Sequence, residues 1–158
     1  MIIYNLSRQS VTLSGTTPLL TVVPGSVRSF LILEIDVQGM GNASGANELA
    51  IYRVLAAGTG TATAIANAPA SVDSPNMTGT TPAIAFSGSA NASYGTTQPT
   101  LSSLLHNLPV NSNGQRYFWR ANANLNNAIV TYGGSFGLTV APISGTGVVS
   151  IRLQVAEL

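Results

Sequence analysis

The chain has 158 residues, of which 7% are charged, against roughly 25% in an average soluble protein, and its formal net charge is +1. All six of its cations are arginines and it has no cysteine, which excludes a Walker A loop, a Schiff base, a disulfide framework and a thiolate metal site. So few cations also argue against a nucleic-acid partner or a polybasic membrane contact, and so few ionisable groups argue against an enzyme.

A chain of this length fits one domain with one core. Hydrophobic residues reach 45% and the mean hydropathy is +0.31. They are dispersed, with residues 30–33 among the longest runs, so no segment is expected to span a membrane. Residues 1–7 show neither a basic stretch nor an apolar stretch of signal-peptide length.

Alternation with period two predicts strands at residues 2–6, 10–14, 19–23, 28–37 and 47–56, with turns marked by Pro24-Gly25 and the glycines of 39–45. Residues 61–66 and 83–86 continue the series. From 68 to 97 the composition is Ala, Ser, Thr, Asn, Pro and Gly with little periodicity, which reads as a loop-rich insertion able to reach a neighbour. Leu101, Leu104, Leu105 and Leu108 fall at i, i+3, i+4 and i+7 behind Pro99 and Thr100, so a short helical turn is expected over 99–108.

Strands follow at 115–121, at 127–132 and 136–140 as a hairpin through Gly133-Gly134, and at 146–158, where Val149, Ile151, Leu153 and Val155 share one face. About ten short strands without a βαβ rhythm predict an all-β fold, a single β-sandwich with jelly-roll topology over residues 1–158.

Two strands carry apolar side chains on both faces. Over 28–37, Leu31, Leu33, Ile35 and Val37 lie opposite Phe30 and Ile32; over 47–56, Leu49, Ile51 and Leu55 lie opposite Tyr52 and Val54. A sandwich covers one face of each sheet, so the surplus implies burial by another subunit or by a loop or terminal strand folded over it.

Residues that carry chemistry are few. His106 is the only histidine and lies in a leucine-rich stretch without a nucleophile motif, so a structural role is expected. Glu34 and Asp36 share a strand face, where they would pair with Arg53, Arg116 or Arg120 rather than hold a cation. The densest stretch is Arg116, Tyr117, Phe118, Trp119 and Arg120, with the arginines and Phe118 on one face and Tyr117 and Trp119 on the other. Aromatics interleaved with cations serve as core, as interface anchors or as ligand platforms. Four N-x-S/T sequons, at Asn5, Asn42, Asn76 and Asn91, are the number that chance supplies in a chain this rich in Asn, Ser and Thr.

The runs Ser29-Phe30-Leu31-Ile32-Leu33-Glu34-Ile35-Asp36-Val37, Asn47-Glu48-Leu49-Ala50-Ile51-Tyr52-Arg53-Val54 and Asn113-Gly114-Gln115-Arg116-Tyr117-Phe118-Trp119-Arg120-Ala121-Asn122, with Gly133-Gly134, resemble small structural proteins of tailed bacteriophage particles. The similarity is greatest to head decoration or cement proteins built as single β-sandwiches, and covers residues 27–158. It implies a homo-oligomer, with a trimer favoured, that binds the major capsid protein lattice in the virion after assembly in the host cytoplasm. It brings no catalytic residue, cofactor or metal. The aromatic–cation strand and the two strands apolar on both faces supply the possible interface, Arg116, Tyr117, Phe118, Trp119, Arg120, Phe30 and Tyr52. A carbohydrate- or receptor-binding module using Trp119, Tyr117 and the loops is the alternative.

Overall fold

Alternating side chains resolve into ten strands in the computed structural model, which describes residues 2–15, 17–24, 29–42, 44–56, 85–87 and 99–158. They are β1 (Ile2–Thr12), β2 (Leu20–Val23), β3 (Phe30–Gly39), β4 (Ala46–Ala56), β5 (Ala85–Ser87), β6 (Thr100–Asn111), β7 (Arg116–Arg120), β8 (Ile129–Thr131), β9 (Leu138–Ser144) and β10 (Val148–Glu157). The first sheet runs β1-β10-β3-β7, with β8 also paired to β3, and the second runs β5-β2-β9-β4-β6. Every pairing is antiparallel.

The two sheets pack face to face as a β-sandwich. Leu6, Phe30, Ile32, Ile35, Val37, Ile151, Leu153 and Val155 of the first sheet meet Leu20, Val22, Leu49, Ile51, Leu108, Leu138 and Val140 of the second in one buried cluster. Burying a side chain of this kind contributes about 1.5–3 kcal/mol, so this layer dominates the stability. No helix among the described residues is long and apolar enough to cross a membrane.

Register shifts account for most departures from the sequence expectations. The two strands expected at 2–6 and 10–14 are one strand, β1, interrupted by an irregularity between Arg8 and Val11, where Ser10 takes φ +51°. In β3 a shift opposite Gln154/Val155 passes over Leu33, so that Phe30 and Ile32 face the core with Ile35 and Val37. The apolar surplus expected on the second face of this strand is therefore core. In β4 the shifts around Tyr52 and Val54 bury Val54 and expose Leu55, so its faces also differ from simple alternation.

The expected helical turn over 99–108 is instead the twelve-residue strand β6. It pairs with β4 along its length, and three register shifts between Ile51 and Ala56 break its alternation. Leucines spaced for a helix thus fit a bulged edge strand, where Leu105 and Leu108 reach the core and Leu104 is exposed. Pairing to a neighbour has overridden the local pattern.

The expected hairpin through Gly133-Gly134 is absent, because β8 pairs with β3 in the first sheet while β9 pairs with β2 and β4 in the second. The turn carries the chain across the sandwich. It is closed by Ser135, whose N and Oγ both donate to the Tyr132 carbonyl at 3.2 and 2.7 Å, with Gly134 at φ +75°. The strand expected at 61–66 lies outside the described residues, as does the 68–97 insertion except for β5.

Candidate interaction surface

β7 is the edge of the first sheet, and alternation turns Arg116, Phe118 and Arg120 outward while Tyr117 and Trp119 turn inward against the core. Beside them, β3 presents Glu34 and Asp36 and β10 presents Arg152 on the same outer face. Arg116 holds Asp36 with two bonds, Nε to Oδ1 at 2.7 Å and Nη2 to Oδ2 at 2.8 Å. Arg120 Nε lies 2.9 Å from Glu34 Oε1, and Arg152 Nη2 stands between both carboxylates at 3.8 and 3.6 Å.

The result is a chain of alternating sign, Arg116, Asp36, Arg152, Glu34, Arg120. The carboxylates lie underneath at 13% and 17% side-chain exposure, while Arg120 is 70% exposed. Hydrogen bonding to Asp36, then its charge, raises the Arg116 pKa above the ordinary guanidinium value. Arg116 also sits 5.5 Å from the centre of the Phe118 ring, a cation–π arrangement. The expected pairing of the carboxylates with Arg116 and Arg120 is thus present, whereas Arg53 turns elsewhere and donates from Nη2 to the Val130 carbonyl at 3.3 Å.

The seven interface candidates do not share one surface. Arg116, Phe118 and Arg120 lie on the outer face of the first sheet, and Tyr117 and Trp119 lie between the sheets. Phe30 is fully buried, and Tyr52 is half-buried on the outer face of the second sheet, next to Thr139. His106, on the core side of β6 opposite Ile51, meets Tyr117 Oη at 2.7 Å from Nε2 and Trp119 at a ring separation of 5.4 Å. Burial lowers its pKa and raises that of Tyr117. Its surroundings are those of a structural residue linking the two sheets.

A second surface was not legible in the sequence. At one end of the sandwich the connections after β3, β6 and β9 meet around Asn47, which is 4% exposed. Its Nδ2 donates to Ser112 Oγ at 2.6 Å and to the Gly45 carbonyl at 3.1 Å, and its Oδ1 accepts from Gly147 N at 3.0 Å. Gly145 and Gly147 pass so close that a Cβ at either position would collide with Asn47 or Ser112. Above this knot lies an open, neutral cleft of about 350 Å³ rimmed by Asn42, Ser44 and Thr146.

No protein-family model matches the chain, and neither the curated proteins nor the solved structures contain a match. Among the described residues, no three His, Cys, Asp or Glu side chains gather as a metal site would require.

Proposed function

We propose that this chain is a virion structural protein that decorates or cements a bacteriophage capsid as a homo-oligomer, with a trimer favoured. The observation that carries the reading is strand order: β1-β10-β3-β7 faces β2-β9-β4-β6, and β1, β2, β3 and β4 alternate between sheets. We read this as jelly-roll connectivity, an architecture used by viral capsid domains and by lectins.

Two further features support attachment through apolar and neutral contacts. Five of the eleven charged side chains are engaged with one another on the outer face of the first sheet, leaving few for a partner. Exposed Leu55, Tyr132, Phe136 and Leu158 lie at the end of the sandwich opposite the Asn47 cleft. That end is drawn together by Val54 N to the Gly137 carbonyl at 3.1 Å and by Ser29, which accepts from both Leu158 N and Gly133 N. These side chains form an apolar patch open to a neighbour, separate from exposed Phe118 on β7 and Leu104 on β6.

The test is mass spectrometry of purified phage particles, with co-sedimentation of the purified chain on empty capsids. The reading expects a fixed copy number relative to the major capsid protein. Absence from particles together with specific signals on a glycan array would replace it with the carbohydrate-binding alternative. Light scattering at micromolar concentration tests the oligomer, and a 16.2 kDa monomer throughout would remove the trimer.

A further inference from the structure

Of the thirteen asparagines, Asn113 alone is followed by glycine. Asn113 and Gly114 are both exposed in the turn between β6 and β7. Gly114 stands at φ +73°, with nothing within 4 Å of where a Cβ would be, so no side branch and no neighbour crowds the turn at this residue. Nearby asparagines have their amides tied down. Asn111 Oδ1 accepts from Gly45 N at 3.2 Å and from Asn113 N at 3.0 Å, Asn122 Oδ1 accepts from Asn126 N at 2.9 Å, and Asn47 is held as described above. Among the described residues no hydrogen bond holds the side-chain amide of Asn113.

We propose that Asn113 is a site of spontaneous covalent modification, deamidating through a cyclic imide with Gly114. The Gly114 nitrogen loses its proton to solvent base and attacks Cγ of Asn113, forming a C–N bond. The Cγ–Nδ2 bond breaks, and Nδ2 leaves as ammonia after taking up a proton. Water then opens the ring at either carbonyl, giving aspartate or isoaspartate at position 113. No oxidant, metal or enzyme is needed.

The two products affect the fold differently. Either adds one negative charge and takes the formal net charge of the chain from +1 to zero. Isoaspartate also inserts a methylene into the main chain of a turn whose flanks hold a neighbouring loop, through Gly39 N to the Gln115 carbonyl and Gly41 N to the Ser112 carbonyl, each at 2.8 Å. That product loosens the connection; aspartate leaves it in place. One bond opposes the reaction, Gly114 N to the Ser112 carbonyl at 3.0 Å. A single bond of this kind slows attack by no more than about tenfold.

The experiment is incubation of the folded chain at mildly alkaline pH, followed by anion-exchange separation, peptide mapping and isoaspartyl methyltransferase labelling. Urea-unfolded chain serves as the reference. The proposal expects an acidic species modified at position 113, forming faster as pH rises, at a rate within about tenfold of the unfolded chain. Asn113→Gln should abolish that species while leaving the thermal midpoint unchanged, since the position is exposed and its backbone N–H remains. Persistence of the acidic species in Asn113→Gln, or modification of the folded chain much slower than this bound, would overturn it.

Discussion

Replacing Asn47 by alanine should uncouple the three connections that meet at one end of the sandwich. The amide makes two short donations, to Ser112 Oγ and the Gly45 carbonyl, and accepts from Gly147 N. At about 1 kcal/mol net per bond the loss is roughly 3 kcal/mol, because the open cleft lets water reach some of the groups left behind. For a domain of this size that lowers the melting temperature by about 6–12 °C. Urea denaturation monitored by tryptophan fluorescence, using Trp119, measures the difference directly. Its slope with denaturant should not change, since no additional surface is exposed on unfolding. Asn47→Asp keeps the shape and the acceptor for Gly147 N but loses both donors and sets a carboxylate against the Gly45 carbonyl, so it should cost at least as much at neutral pH. A loss under about 1 kcal/mol for the alanine variant would refute the reasoning, since it would show that the buried bonds exchange for water at no net cost.

His106 has its pKa lowered by burial, so as pH falls the unfolded chain takes up the proton first. Its contribution to stability is therefore full above about pH 6.5 and is lost as pH falls from there toward the lowered folded value. His106→Ala should remove that pH dependence in thermal melts without affecting attachment to capsids, and an unchanged pH dependence would count against the assignment. Asp36→Asn removes the partner of Arg116, so stability should fall at low salt and the difference should shrink at 1 M salt, where the Debye length is about 3 Å. The proposed capsid attachment through apolar and neutral groups predicts retention in sodium chloride from about 0.05 to 1 M, and release by salt alone would assign binding to arginines such as Arg116, Arg120 and Arg152. Far-UV circular dichroism should show a strand-dominated spectrum, and helix above about a third would contradict the fold.

Local periodicity identified strands such as β7 and β10 because their side chains alternate without interruption. It failed where pairing shifts register: Leu33 is passed over in β3, and β6 carries its leucines at a helical spacing because three shifts interrupt its ladder with β4. Neither shift leaves a local trace. The charge chain was partly legible, since Glu34 and Asp36 share a face two residues apart. That Arg116 and Arg152 converge on Asp36 depends on the registers of β7 and β10, strands more than 75 residues away along the chain. The Asn47 knot was not legible at all. Ser112 and Gly147 lie 65 and 100 residues from Asn47, and nothing distinguishes either from the other serines and glycines of a chain rich in both.

The position of β10 has a kinetic consequence. It lies between β1 and β3, pairing Ile2 with Glu157 and Val37 with Ile151, so the tenth strand in chain order forms the middle of the first sheet, long after the strands on either side of it have been made. Until β10 is made, β1 has no paired strand among the described residues, and there β3 has only β7 and β8. The long loop closure makes assembly slow, and the exposed ladders of β1 and β3 are open to pairing with other chains in the interval. Translation stalled before residue 148 should yield an aggregation-prone, protease-sensitive chain, and the first sheet should be completed only after β10 has emerged.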